Sequence, residues 1–92
     1  RIDHWFYFGN EHHRDEFVDA ATRDGFTLQK TLQPESDLGH GAQIHRVDSV
    51  RLEDVHAVVM DLMKLAKRFD GRYDGWETQI MKTSENGSTT TQ

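Results

Sequence analysis

Histidine and acidic side chains are the residues of this sequence with the most obvious capacity for chemistry. The 92-residue chain contains six histidines, and His12 and His13 lie beside Glu11 and Glu16. A helix would place His13 and Glu16 on one face, because they are three residues apart. Imidazole and carboxylate groups bind zinc or copper, but a site needs three or four converging ligands. The spacing matches no closed zinc site, so we expect solvated surface here and no metal site.

Groups that could act in catalysis are present, but their spacing is not typical of an active site. The sequence contains no nucleophile elbow, no glycine-rich phosphate loop and no His-Glu-x-x-His motif. Asp15, Glu16 and Asp19 could supply paired carboxylates, and His45 or His56 could act as a base, yet the sequence places no second group beside them. Cysteine is absent, which excludes thiolate chemistry and disulfides. The sequence therefore favours a protein that is not an enzyme and uses no cofactor.

The charge balance favours a protein partner over a nucleic acid. The formal net charge is −5, with 29% charged and 35% hydrophobic residues. Binding a phosphate backbone requires clustered Lys and Arg, so direct RNA or DNA binding is disfavoured. An acidic domain instead attracts basic partners. There is no apolar stretch long enough to span a membrane and no signal peptide, and we expect a cytoplasmic protein.

The hydrophobic pattern predicts one domain over residues 1–82, followed by a disordered polar tail over residues 83–92. Amphipathic spacing predicts a helix that follows the N-cap residue Asn10 and ends near Asp24, and a second helix over residues 53–69. Gly25 is expected to end the first helix in a left-handed conformation. Period-two alternation predicts strands over residues 2–8, 26–32, 42–50 and 73–81.

This order of elements predicts an α+β, ferredoxin-like βαββαβ fold, with a four-stranded antiparallel sheet and two helices on one face. The second strand is expected to have one mostly apolar face, and a bulge near His45 would explain why Ile44 and Val47 are out of phase in the third strand. The other sheet face would be open, which is compatible with a monomer or with a weak homodimer through that face.

Two aromatic segments are the best candidates for a protein-binding site. Large amphipathic aromatic side chains dominate interface hot spots, and Asp-Gly steps allow a positive φ at low cost. One segment follows the second helix and the other is the first strand, where alternate aromatic residues must face outward. Trp76 can equally be a core residue at the start of its strand. The predicted protein-binding residues are Trp5, Tyr7, Tyr73, Asp74, Gly75 and Trp76.

The run from Leu62 to Thr78, LMKLAKRFDGRYDGWET, closely resembles the C-terminal signature of the RraB family, which are bacterial protein inhibitors of the endoribonuclease RNase E. In that family a helix ending in Leu-Ala-x-x-Phe leads into Tyr-Asp-Gly-Trp and the final strand. The match is specific over residues 58–80 and looser over the remaining chain. The signature residues present are Leu65, Ala66, Phe69, Tyr73, Asp74, Gly75 and Trp76.

The resemblance implies a ferredoxin-like fold, no catalytic activity, and binding to a ribonuclease that modulates RNA decay. The best-known relatives have strongly acidic tails, whereas the chain after Lys82 is nearly neutral. The partner can therefore also be a different nuclease, or a nuclease toxin for which this domain is the immunity protein. A third alternative, a small enzyme or ligand-binding domain, requires a concave pocket with a perturbed titratable group.

Overall fold

Four strands and two helices form the fold in a computed structural model that describes residues 1–33 and 39–78. The elements in chain order are β1 (Ile2–Phe8), α1 (Glu11–Arg23), β2 (Thr27–Leu32), β3 (His40–Arg46), α2 (Leu52–Arg68) and β4 (Gly71–Thr78). The strands form one sheet in the order β2-β3-β1-β4, and each neighbouring pair is antiparallel. The predicted α+β, ferredoxin-like βαββαβ fold is therefore confirmed.

Strand β1 is the centre of the domain because it pairs with β3 on one side and with β4 on the other. Its even-numbered side chains are buried and face the helices, and Phe6 packs against Phe17 of α1 with ring centroids 4.5 Å apart. Phe8 packs on the same ring at 5.1 Å. Residues from both helices and from β3 complete this core, among them Ala21, Ile44, Leu62 and Ala66. One sheet face therefore packs on α1 and α2.

The helix α1 begins and ends at the positions that the sequence predicts. The side chain of Asn10 accepts a hydrogen bond of 2.8 Å from the backbone N–H of His13, which satisfies one amide of the first turn. At the other end Gly25 has φ +94°, and the N–H groups of Gly25 and Phe26 donate to carbonyls of the last turn. This turn directs Phe26 into the core, where it is 5% exposed.

The helix α2 lies beside β4 and ends in a tight connection to it. Val55, Leu62 and Ala66 are its buried residues, and the spacing predicted this stripe. Asp70 takes φ +59° in the connection, so the first Asp-Gly step reverses the chain at its aspartate. Neither helix in residues 1–33 and 39–78 is long and apolar enough to cross a membrane.

The irregularities of the sheet are not where the sequence predicted them. The third strand ends at Arg46, four residues earlier than expected, and Val47 is 80% exposed. The bulge expected in the third strand near His45 is wrong, because β3 pairs with β1 without a register shift, and the shift in its pairing with β2 places the extra residue in β2. Val47 is out of phase because it follows the strand.

The register shifts lie in β2 and β4. In β2 the shift falls between Leu28 and Lys30, so Leu28 is opposite Ile44 whereas Lys30 is opposite Gln43. The expected apolar face of the second strand is therefore wrong: an extra residue turns the later side chains to the other side. The predicted domain boundary at residue 82 and the predicted tail over residues 83–92 lie outside the described residues, and both stay predictions.

Candidate protein-binding surfaces

The six residues predicted to bind a partner lie on two different faces of the sheet. Trp5 and Tyr7 are odd-numbered residues of β1, so they point away from the helices. Tyr73 is paired opposite Phe6, and Trp76 is paired opposite His4, which places both on the side of the helices. These aromatic residues lie on neighbouring strands, as the sequence predicted, but they face opposite sides of the sheet and do not form one surface.

The open sheet face is the side of the sheet that carries Trp5 and Tyr7. Both side chains are half-buried. A Cβ added at Gly41 would come within 2.9 Å of the side chains of Tyr7 and Leu32, so these two side chains occupy the space above this glycine. The lack of a side chain at Gly41 of β3 thus leaves room for the ring of Tyr7. The result is a small apolar area on this face.

A polar cluster adjoins this apolar area at the start of β1. Asp3 is 4% exposed, and its carboxylate accepts hydrogen bonds from Arg1 at 3.1 Å and from Gln43 at 3.2 Å. Arg1 also donates to Gln29 of β2 at 3.3 Å. These bonds satisfy the buried carboxylate within the domain. Asp3 therefore has a structural role on the open sheet face.

Tyr73 is part of the core packing, although its sequence context suggested a binding residue. Its ring lies 4.9 Å from that of Phe6, and its hydroxyl is 2.8 Å from Nδ1 of His4. Burial lowers the pKa of His4 to about 4, so this ring is neutral at pH 7. Burial also raises the pKa of Tyr73, so the phenol keeps its proton. The pair is a neutral hydrogen bond between β1 and β4.

A bulge between Tyr73 and Trp76 explains how two aromatic residues three positions apart face the same side. Gly75 is opposite Trp5 and Tyr73 is opposite Phe6, so Asp74 is an extra residue in β4. Gly75 has φ +142°, a conformation that favours glycine. Asp74 is exposed, and Trp76 lies at the sheet edge with 41% of its surface accessible. Trp76 is therefore not a core residue.

Three exposed apolar residues of α2 are further candidates for a binding surface, and they were not among the residues predicted from the sequence. Leu52 is 64% exposed, Met60 54% and Met63 47%. Successive helical residues are rotated by about 100°, which places Leu52 and Met63 on the side of α2 that faces away from α1. The same helix packs against β4, the edge strand that carries Trp76. We call Leu52, Met60, Met63 and Trp76 the edge surface.

The other side of α2 lines a cavity of about 350 Å³, whose remaining walls are the turn after α1 and the end of β3. Arg46 at the end of β3 contributes to its wall, with its guanidinium 4.0 Å above the ring of Phe26. Asp24 and Asp61 also line it. No sequence pattern indicates this group, because Asp24, Arg46 and Asp61 are separated by long stretches of chain and meet only in the tertiary fold.

The histidines that suggested a metal site lie at the surface. Nε2 of His12 lies 3.5 Å from a carboxylate oxygen of Glu16, one turn away, and Nδ1 of His13 lies 3.9 Å from a carboxylate oxygen of Asp70. Over residues 1–33 and 39–78, no three His, Cys, Asp or Glu side chains converge as metal ligands would.

Comparison with known proteins identifies the family of the chain. The sequence profile of a family described as regulator of ribonuclease activity B, RraB, matches residues 1–78. A comparison with curated proteins gives no match. The matched range includes all four strands and both helices, and it ends at the last residue of β4. The chain therefore belongs to the RraB family, the regulators of ribonuclease activity B.

Proposed function

We propose that this domain is a non-catalytic regulator that binds an RNase E-like ribonuclease in the bacterial cytoplasm and inhibits it. The observation that carries the proposal is the match of residues 1–78 to a family of ribonuclease regulators. The match spans every element of the fold, so the whole domain is the regulatory unit. Binding then changes the rate of RNA decay without chemistry by the domain itself.

The charge and the edge surface support binding to a protein. The net charge of −5 complements a basic partner, and charge complementarity accelerates encounter. Trp76 lies on the edge strand β4, where the bulge at Asp74 turns it to the side of the helices, and tryptophan is prominent among residues that contribute most to interface affinity. Methionine adapts its shape to different partners, which suits Met60 and Met63 to the same surface.

Within residues 1–33 and 39–78, the two residues with shifted pKa values support a role without catalysis. His4 and Tyr73 bond to each other between two strands, and neither lines the cavity beside α2. A general base must reach the substrate proton directly or through one water molecule. Burial of this pair in the core is therefore more consistent with folding than with reaction chemistry.

The proposed function is tested by titrating the purified domain into an RNase E-like enzyme of the same bacterium. Affinity is measured by calorimetry, and cleavage of a fluorogenic RNA is followed in parallel. We expect saturable binding and slower cleavage at the same domain concentrations. Trp76→Ala should weaken binding by about tenfold or more, because hot-spot residues contribute at least this much. Val47→Ala removes apolar surface from a loop residue that is 80% exposed, and should bind like the wild type.

The possible outcomes distinguish a wrong proposed function from a wrong choice of binding surface. If the wild-type domain neither binds nor slows the ribonuclease, the proposed function is wrong, and capture of a nuclease toxin would favour the immunity-protein alternative. If binding is tight but Trp76→Ala has no effect, the function stands and the edge surface is not the interface. Trp5→Ala and Tyr7→Ala then test the open sheet face. Sedimentation of the free domain shows whether that face forms the weak homodimer.

A further inference from the structure

The cavity that α2 forms with the turn after α1 and the end of β3 has an apolar floor and a charged rim. Phe26 and Leu62 are buried at its floor, and Val58 and Leu65 are half-buried along its side. The carboxylate-bearing residues that line it are both exposed. Its volume of about 350 Å³ lies near the lower end of the range for small-ligand sites. The cavity is therefore suited to one elongated side chain rather than to a large cofactor.

The positive charge of Arg46 is already compensated inside the domain. Its Nε donates a hydrogen bond of 2.8 Å to Oδ2 of Asp48, and an Nη donates at 2.8 Å to the backbone carbonyl of Asp24. The flat guanidinium also stacks on Phe26. Arg46 therefore acts as a fixed wall of the cavity, and an anionic ligand would have to compete with Asp48 for it.

The negative charges at the rim are not compensated in the same way. Within the described residues, neither Asp24 nor Asp61 forms a side-chain ion pair. Among the lining residues and Asp48, three carboxylates are therefore present with one guanidinium, that of Arg46. A cation at the rim would gain from both carboxylates, whereas an anion would be repelled by them.

We propose that this cavity receives an arginine side chain from a basic segment of the partner protein. The methylene groups of an arginine would pack on Leu62 and Leu65, and its guanidinium would donate to Asp24 and Asp61. Arginine suits this site better than lysine, because its planar group has several donors and is more weakly hydrated. The proposal rests on the proposed function, since it assigns one contact of the regulator with its partner.

The cavity is tested directly with N-acetyl-arginine amide and the ¹⁵N-labelled domain, which requires no ribonuclease. N-acetyl-citrulline amide is the control probe, because it has nearly the same shape without the charge. We expect saturable amide shifts concentrated at residues 24–26 and 58–65, and a dissociation constant about tenfold higher for citrulline. Equal binding of both probes, or shifts spread over the whole domain, would overturn the proposal.

Charge-neutralising variants test whether the carboxylates of Asp24 and Asp61 bind the arginine amide. Asp61→Asn and Asp24→Asn should each weaken arginine-amide binding severalfold, and thermal melts confirm that the variants are folded. Asp19→Asn is the matched control, since it removes the same charge from an exposed position of α1 that does not line the cavity. Equal loss of affinity in all three variants would indicate only long-range charge and would contradict a specific cavity.

The ribonuclease assay separates this inference from the proposed function. If the function and the cavity are both correct, Asp24→Asn/Asp61→Asn lowers affinity for the enzyme by about tenfold and Asp19→Asn does not. If the ribonuclease binds the double variant as tightly as the wild type, the cavity is not its contact and the function stands. If the arginine amide binds in the cavity but no ribonuclease binds, the proposed function fails and the arginine site remains.

Discussion

The hydroxyl of Tyr73 lies 2.8 Å from Nδ1 of His4, and this bond joins the family-signature segment of β4 to the centre of β1. The ring of Tyr73 also packs on that of Phe6, the residue opposite it in β1. The extra residue of β4, Asp74, directly follows Tyr73, so the bulge begins next to a residue that packs against the core. Beyond the bulge, Trp76 is exposed at the sheet edge.

Replacing Tyr73 by Phe tests this bond. Nε2 of His4 is buried and has no hydrogen-bond partner among the described residues, so losing the hydroxyl would leave neither ring nitrogen bonded. A buried polar group left in this way costs about 1–3 kcal/mol. We expect Tyr73→Phe to lower the free energy of unfolding by about that amount in urea titrations. Tyr7→Phe, on the open sheet face, is the control and should change stability little.

The burial of His4 predicts a loss of stability in mild acid. Its pKa is lowered from 6.5 to about 4 in the folded domain, so only the unfolded chain binds the proton between these values. Stability is complete above about pH 6.5 and falls as the pH decreases towards about 4, by roughly 2 kcal/mol at pH 5. Urea unfolding between these pH values measures the slope.

Two variants test whether His4 causes this pH dependence of the free energy of unfolding. The double variant His4→Phe/Tyr73→Phe removes both polar partners together, and its stability should depend less on pH than that of the wild type. His12→Gln changes a surface histidine whose side chain is 78% exposed, and should keep the wild-type slope. A double variant with the wild-type slope would mean that other groups cause the acid sensitivity.

The sequence was sufficient to predict the elements and their order, because each has a local signal. Asn10 caps α1, Gly25 ends it, and the apolar stripe of α2 has an unambiguous helical period. These signals depend on neighbours within a few residues. The same information does not determine how strands shift against each other, which is why the bulges at Gln29 and Asp74 were missed.

The candidate surfaces were only partly predictable for a related reason. Period-two alternation correctly separates Trp5 and Tyr7 from the buried side of β1. One extra residue in β4 turns Trp76 to the same side as Tyr73, and no local pattern reveals that residue. The cavity is formed by Arg46, the turn after α1 and one side of α2, which meet only in the tertiary structure.

Gly71 is predicted to be intolerant of any side chain. A Cβ at this position would lie 2.1–2.8 Å from three atoms of the Phe8 ring, and Phe8 is 2% exposed in the core. The ring cannot move without disturbing its contact with Phe17. We expect Gly71→Ala to destabilise the domain by about 1–3 kcal/mol or more. Gly9→Ala is the control, because a Cβ at Gly9 meets no atom within 4 Å.

Trp76→Ala is expected to cost much less stability than a core substitution. Truncating a buried aromatic residue costs about 3–5 kcal/mol, and Phe6→Ala, at a position that is 0% exposed, should fall in that range. Trp76 is 41% exposed on an edge strand, so we expect a loss below about 2 kcal/mol. Urea unfolding of the two variants gives the comparison.

The same measurement decides how the binding experiment with Trp76→Ala is interpreted. If this variant is nearly as stable as the wild type, its weaker binding to a ribonuclease reports lost contact at the edge surface. A loss as large as that of Phe6→Ala would place Trp76 in the core and contradict the assignment. Met60→Gln would then test the edge surface, because Met60 is 54% exposed and its replacement keeps a helix-compatible, unbranched side chain.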